Sequence, residues 1–431
     1  MTETDIAAAL IVVGAGPAGL AAALAAAEAG VDVLLLDAAP TAGGQVWRAR
    51  RGVAAAPVAR ASERLARAGV RVLAGARVAM ALPEQTLLVD GPGGARHVRW
   101  QRLVLATGAR ERLLPFPGWT LPGVFGAGGL QALAKGGWPV AGQRVVVVGT
   151  GPLLLASAAT LRGEGARLVG LVDEAPLSAQ ARFGAALLAH PAKALQALRL
   201  GASLAGVRWM PGWRVAAAEG DGRVQQVRLT RGGHARTLAC DALAAGWGLV
   251  PQTELGQALD CALADDAIVV DATQRTSTPH VFAAGECTGI AGALAAQLQG
   301  EAAGRAVAAD LAGAAAPSVN ARRLAREHAF ARAVAATFAP DPAWRERLQG
   351  DTLVCRCEDV PWSALRDQPD LRAAKLATRC GMGHCQGRLC HDTLGTLMHW
   401  PRLPQRTPLA PVPLATLLAI PSDPPHQETS P

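Results

Sequence analysis

The chain has 431 residues, 50% of them apolar and 18% charged, with a formal net charge of +8. That length calls for more than one domain, and so large an apolar share excludes a disordered chain. The positive charge comes from arginines that form no run and interleave with no aromatic stripe, which argues against nucleic-acid binding.

The chain opens on an apolar run, Leu10 to Val13, that reads as a buried strand. Gly14-Ala15-Gly16-Pro17-Ala18-Gly19 follows as a turn, Pro17 to Ala29 as an Ala-rich helix, and Val31 to Leu36 as a second strand ending at Asp37. Each glycine has a role in this frame. Gly14 permits the tight turn, Gly16 has no Cβ to block a pyrophosphate, and Gly19 lets helix and strand pack closely. Phosphates would sit on the free N–H groups of the helix start, and Asp37 would accept from a ribose diol. Gly44 and Gln45 lie in a Gly-rich loop where backbone can approach a ligand. Residues 58–68 have helical spacing, and Val70 to Ala74 reads as a strand. Short strands at 78–82, 85–89 and 97–100 suggest an antiparallel insertion, before a buried strand from Leu103 that runs into Thr107-Gly108. The stretch 115–139, rich in Pro, Gly and Trp, reads as a connector.

The opening pattern then recurs. Arg144 to Val148 is a strand, Gly149-Thr150-Gly151 the turn, and Leu168 to Val172 a second strand ending in Asp173-Glu174. Here the third glycine position is Leu154, which should hold helix and strand farther apart. Two outcomes stay open: a nucleotide on Gly149, Gly151, Asp173 and Glu174, or a retained fold with an altered or empty pocket. A strand-rich insert at 207–239, the strand end Ala283-Ala284-Gly285-Glu286 and a helix at 292–311 follow. Residues 312–317 read as a domain exit, 319–348 as helical, and Pro408 to Ile420 as a tail that either docks or stays disordered. No apolar stretch reads as a membrane span. The acids Glu3 and Asp5 stand where a secretory signal would carry Lys or Arg. Of the 8 cysteines, most fall between Cys355 and Cys390, a pattern of metal or cluster binding in a reducing compartment. The cytoplasm is the expected location, with any membrane association made through a partner or an electron acceptor.

Two nucleotide units with small β inserts, then Gly285-Glu286, resemble the two-domain flavoprotein reductases of the thioredoxin and glutathione reductase group. The resemblance, which covers about 8–311, implies an α/β fold of tandem Rossmann-like FAD and NAD(P)-type domains, to which the terminal cysteines add a small C-terminal Cys-rich cluster domain. By it, the FAD-binding domain comprises 8–115 and 249–315 and the NAD(P)-type domain 116–248. A helical linker at 316–350, a 2Fe–2S domain at 351–400 and a Pro-rich tail at 401–431 complete the division. FAD would contact Gly14, Gly16, Pro17, Ala18, Gly19, Asp37, Gly44, Gln45, Arg48, Val78, Thr107, Gly108, Gly285 and Glu286. The acid Glu286 would bind the ribityl or phosphate oxygens. The second unit would hold NAD(P) or a bystander such as ATP. No paired thiol occurs in the flavin region, and Cys240, Cys261 and Cys287 are isolated, which argues against disulfide reduction. Cys287 reads as a small buried residue.

Thr107-Gly-Ala-Arg-Glu-Arg112, Pro115-Phe-Pro-Gly-Trp-Thr-Leu-Pro-Gly-Val124 and Gly248-Leu-Val-Pro251 bring nearly the whole chain close to one family, which it resembles. Its members are the α or A subunits of opine oxidases, dye-linked D-hydroxyproline and proline dehydrogenases, and the B subunit of hydrogen cyanide synthase. Cys355-x-Cys357 and Cys385-x4-Cys390 resemble the 2Fe–2S domain of bacterioferritin-associated ferredoxin, although its distal pair is spaced Cys-x2-Cys. The implied ligands are Cys355, Cys357, Cys385 and Cys390, with Cys380 as a substitute outside the motif. Structural zinc is the alternative, and Cys-x-Cys fits it poorly. The implied function is a flavin–iron–sulfur subunit of an amine or amino-acid dehydrogenase. Its partners would be a β-type flavoprotein that oxidises the substrate, together with a small ferredoxin-like subunit. Two rivals remain: a self-sufficient NAD(P)H-dependent reductase, and a non-catalytic nucleotide-binding scaffold. No residue reads as a catalytic base; Lys135, Arg110 and Glu111 come nearest in context, and each reads as structural.

Overall fold

A computed structural model describes residues 5–317, 320–401, 403 and 405–420. The far end of the Pro-rich tail, 421–431, lies outside the described residues.

The opening apolar run forms the strand Asp5–Val13, with Leu10, Ile11 and Val12 fully buried. Burial on both faces explains why these residues are continuously apolar and do not alternate. The strand lies between Val33–Asp37 and Gly94–Leu105, parallel to both. The sheet runs Arg71–Ala74, Val33–Asp37, Asp5–Val13, Gly94–Leu105, Thr86–Gly91, Arg77–Leu82, and Val281–Ala283 adds in parallel to Gly94–Leu105. The insertion is therefore not separate from the strand at Leu103. Residues 97–105 belong to one strand, because Gln101-Arg102 offers no turn residue to break it. Its first part pairs antiparallel with Thr86–Gly91 while residues 97–105 continue the parallel layer.

Pro17–Ala27 is the helix after the glycine turn, with proline where the missing N–H is no loss. It packs on Ala293–Leu311 through small residues. A Cβ on Gly300 would stand 2.8 Å from the Ala18 carbonyl carbon, and one on Gly304 would stand 2.9 Å from the Ala25 Cβ. The two helices thus meet nearly backbone to backbone.

The second unit is a five-stranded parallel sheet ordered Trp209–Pro211, Arg167–Asp173, Arg144–Gly149, Ala242–Gly246, Val124–Gly126. An antiparallel meander, Arg214–Glu219, Gln226–Arg231 and His234–Ala239, is the insert expected at 207–239. The 115–139 stretch is more ordered than its composition suggests. It contains Val124–Gly126 and the helix Ala127–Lys135, whose Gly128 and Gly129 N–H groups donate to the Glu111 carboxylate at 2.7 and 3.2 Å. A distant acid supplies the cap that the local sequence lacks. Two helices, Leu177–Leu187 and Pro191–Ser203, stand on the outside of this unit.

The chain then forms the helix Ala321–Thr337 and a 3₁₀ turn, Pro342–Arg347. The cysteine-rich module pairs Leu353–Cys355 with Val360–Pro361 and adds the helices Leu371–Thr378 and Cys390–Met398. It is bolted to the crossing between the two nucleotide units. The Trp119 Nε1–H donates to the Leu353 carbonyl at 2.6 Å, the Trp344 Nε1–H to that of Pro115 at 2.8 Å, and the Thr393 hydroxyl to that of Leu113 at 2.8 Å. The module and the second unit share one apolar core containing Trp247, Trp344, Cys355 and Leu394. The tail docks on the first unit: the Leu409 N–H donates to the Ala79 carbonyl at 2.6 Å and the Thr416 hydroxyl to Asp90 at 2.7 Å. Among the described residues, no helix is long and apolar enough to cross a membrane.

Candidate functional site

A cavity of about 540 Å³ opens at the C-terminal ends of the first sheet's parallel strands, over the glycine turn. Ligands of open α/β sheets bind at that end, and a cavity of this size is in the usual range for a cofactor. Gly14, Gly16, Pro17, Ala18, Asp37, Gly44, Gln45, Arg48, Val78, Thr107, Gly108 and Glu286 all line it. Gly19 and Gly285 act from behind the wall. A Cβ on Gly19 would stand 2.9 Å from the Gly14 carbonyl carbon, and one on Gly285 2.7 Å from the Ala18 Cβ. At Gly16 the nearest atom to such a Cβ is the Gly44 Cα at 3.9 Å, so this glycine is bare toward the cavity.

Asp37 ends its strand beside the turn. Its carboxylate accepts from the Ala15 N–H at 2.5 Å and the Ala39 N–H at 2.7 Å. The acid therefore holds the turn as well as facing the cavity. Glu286 is deeply set, and burial raises its pKa against the lowering by the Gly292 N–H. Ala293 and Ala296, in the first turn of Ala293–Leu311, also line the cavity, so the positive end of that helix faces it. These donors and the bare Gly16 fit a dinucleotide with a central pyrophosphate. Cys287 is fully buried, with its thiol 3.3 Å from the Leu105 carbonyl, and burial pushes it up to about 11. That is the inert thiol expected from sequence.

Several wall residues had no local signal. Gln252 and Glu254 come from the return crossing, where the Gln252 carbonyl accepts from the Thr107 hydroxyl at 2.6 Å. Leu409, Ala410 and Pro411 come from the tail, and Arg388 from the cysteine module. Only the Thr-Gly strand end facing Gln252 could have hinted at the first of these. The residues weighed as nearest to a base have structural roles. Arg110 bridges Glu254 at 2.7 Å and Asp392 at 2.5 Å, Glu111 caps a helix, and the Lys135 carbonyl accepts from the Arg51 N–H at 2.7 Å.

The thiols gather beneath the same crossing. The Sγ atoms of Cys355, Cys380 and Cys390 lie within 4.8 Å of one another. Cys385 shares hydrogen bonds with Cys390 and Cys357, and Cys357 is exposed. Cys380, which lies outside the spacing motif, is thus in the innermost trio, while Cys357 stands at the rim. Hydrogen bonds from Cys380 and Cys390 hold the Cys355 thiol far below the usual range, and the same sharing pushes that of Cys390 up. Buried thiols that stabilise a neighbouring thiolate are a donor set suited to a thiophilic metal or cluster.

In the second unit, Gly149 and Gly151 open the helix Pro152–Gly163 and Asp173 ends Arg167–Asp173. Asp173 accepts from the Ala175 N–H at 3.0 Å, and burial pushes it up to about 6. Glu174 is paired with Arg347 at 3.0 Å. Leu154 is 2% exposed and packs in the core between helix and sheet, in the place of a close-packing glycine.

Residues 8–300 match the model of the pyridine nucleotide-disulphide oxidoreductase family. The chain is 35% identical to the hydrogen cyanide synthase component HcnB of Pseudomonas protegens, over 88% of this chain and 89% of that one. It is 32% identical to an opine oxidase A-type subunit of Rhizobium meliloti, over 96% and 87%. Its fold is that of L-proline dehydrogenase from P. horikoshii, with a TM-score of 0.67, 20% identity, and 96% and 80% of the two chains covered. With a dinucleotide cradle of this geometry, these matches make the chain an FAD-dependent oxidoreductase. It belongs to the pyridine nucleotide-disulphide oxidoreductase family, in the group that includes HcnB and the A-type subunits of opine oxidases.

Proposed function

We propose that the chain is the flavin- and iron–sulfur-carrying subunit of a multi-component amine or amino-acid dehydrogenase. Electrons would come from a β-type flavoprotein partner that oxidises an opine, hydroxyproline or proline, and a small ferredoxin-like subunit could join the assembly. When bound, FAD exchanges electrons in pairs or singly and a 2Fe–2S cluster exchanges them singly. The observation that carries the reading is the shared wall. The Cys385–Cys390 loop sends Arg388 into the lining of the flavin cavity, and Arg110 ties Glu254 of that cavity to Asp392 of the module. Thiol set and flavin cavity are thereby joined through a common wall.

The lining carboxylates support a relay over direct substrate oxidation. Asp37 is engaged by the Ala15 and Ala39 N–H groups and Glu254 by Arg110, while Glu286 accepts from Gly292. The start of Ala293–Leu311 and Arg48 put positive charge around the cavity, which favours an anionic reduced flavin. Cys355, Cys357, Cys385 and Cys390 are the proposed cluster ligands, with Cys380 as a buried neighbour.

The purified chain should contain FAD with iron and acid-labile sulfide in equal amounts. Zinc without iron would refute the cluster. Rapid, complete bleaching of the flavin by NADH or NADPH alone would refute the relay in favour of a self-sufficient reductase. Cys357→Ser should lose iron and Cys380→Ala keep it; the opposite result would move the fourth ligand to Cys380.

A further inference from the structure

The second nucleotide unit keeps the strand–turn–helix frame, yet the chain's own linker lies across it. In such a turn the second glycine is bare because the pyrophosphate approaches there. At Gly151 a Cβ would meet the Phe338 Cβ at 3.5 Å and its Cγ at 3.7 Å, ordinary van der Waals contact with a phenylalanine. The equivalent Gly16 of the first unit meets only glycine backbone. Phe338 therefore stands against the face of the turn that a pyrophosphate would use, and its ring cannot accept the N–H groups of the helix start as phosphate oxygens would.

Phe338 is held there from several sides. Its ring lies 5.2 Å from that of Phe183, at 77°, and Phe183 lies 5.7 Å from Phe330 of Ala321–Thr337. His190 packs on Phe330 at 5.1 Å, and Lys193 lies over the same ring and 3.4 Å from Glu327. The linker helix is thus clamped to the two outer helices of the second unit. Beyond Phe338 the 3₁₀ turn holds Glu174, the acid next to the strand end. Arg347 pairs with Glu174 at 3.0 Å and with Asp341 at 2.6 Å, while its guanidinium lies 4.2 Å from the Trp344 ring. Trp344, 1% exposed, packs edge-on against Trp247 at 4.8 Å.

We propose that residues 338–347 are the native occupant of the second nucleotide crevice, with Phe338 on the pyrophosphate seat and Arg347 on the acid beside the ribose position. The seated linker excludes NAD(P)H and ATP, and the second unit serves as a dock for the segment that leads into the cysteine module. A nucleotide could enter only by lifting Phe338, so nucleotide binding and module seating compete. The inference depends on neither the cluster nor the relay, since it concerns only what fills this crevice.

The test is equilibrium binding of NADH, NADPH and ATP to the FAD-loaded full chain, followed by calorimetry. The wild-type chain should bind none of them below about 1 mM. Phe338→Ala should bind at least one about tenfold more tightly or better, as expected when a competing closed state is removed. Phe183→Ala frees the same ring from the other side and should change affinity in the same direction. FAD absorbance and the melting temperature report whether each variant is folded, and the wild-type arm needs no variant. Micromolar binding by the wild-type chain would overturn the proposal, as would two folded variants with no gain. Failure of the relay reading would appear in flavin bleaching and leave these binding results unchanged.

Discussion

Gly300→Ala is the sharpest probe of how the flavin cradle is built. Gly300 lies in the middle of Ala293–Leu311, so on helix propensity alone alanine should stabilise the chain by about 1 kcal/mol. The contact with Pro17–Ala27 opposes this. The new Cβ would stand 2.8 Å from the Ala18 carbonyl carbon, 3.0 Å from its Cα and closer still to its oxygen. These are backbone atoms, so no side chain can rotate away, and the two helices must separate. Overpacking of this kind costs about 1–3 kcal/mol, and more when backbone is the obstacle. The moved helix is the one whose first residues, Pro17 and Ala18, line the flavin cavity, so FAD affinity should fall with stability. A net loss of about 1–2 kcal/mol lowers the melting temperature by roughly 2–8 °C for a domain of this size. The assay is thermal unfolding, with FAD occupancy read from the visible absorbance of the bound flavin. Gly184→Ala is the matched control: it lies within Leu177–Leu187 and its Cβ would meet nothing within 4 Å. The control should be neutral or stabilised. Gly300→Ala with full FAD and an unchanged melting temperature would refute the backbone-contact account.

Asp37→Ala removes the acceptor for the Ala15 and Ala39 N–H groups as well as a cavity carboxylate. Dialysis should strip FAD from this variant while Asp37→Asn, which keeps a neutral acceptor for those N–H groups, retains part of it; equal retention in both would refute the acceptor's role in holding the turn. Arg110→Ala removes the guanidinium shared by Glu254 and Asp392, and because Glu254 keeps Arg388 at 3.9 Å the loss should fall below the roughly 3–5 kcal/mol of a fully uncompensated buried charge. Limited proteolysis should then cut near 388–401 faster than in the wild-type chain; an unchanged digest would show that the module is held elsewhere. Asp173, pushed by burial to about 6 from 3.8, holds its proton more tightly folded than unfolded. Its contribution to stability is therefore present below about pH 4 and is lost as the pH rises toward 6, by at most about 3 kcal/mol. Asp173→Asn should flatten that slope in melts from about pH 4 to 7, and a slope equal to that of the wild-type chain would disprove it.

The local half of this protein is written in its sequence. A buried strand needs a continuous apolar run, the tight turn needs Gly14, and close helix–strand packing needs Gly19; these demands act over short stretches of chain and leave a readable pattern. The same holds for Asp37, for the second unit's frame, and for a cysteine module at the end of the chain. What closes the sites was decided only in three dimensions. Arg388, Gln252 and Leu409 reach one cavity from three distant segments, and nothing near any of them in sequence marks a ligand wall. Cys380 joins Cys355 and Cys390 because the helix Leu371–Thr378 ends beside them, not because of its spacing. Gly300 reads as an ordinary helical residue until the Ala18 backbone is placed against it. Phe338 reads as one more apolar position in a helical linker, and only the packing of Phe183 against it sets it on the turn at Gly151. Turns and periodicities follow from short-range backbone geometry, whereas the docking of one segment on another depends on surfaces that exist only after both have folded.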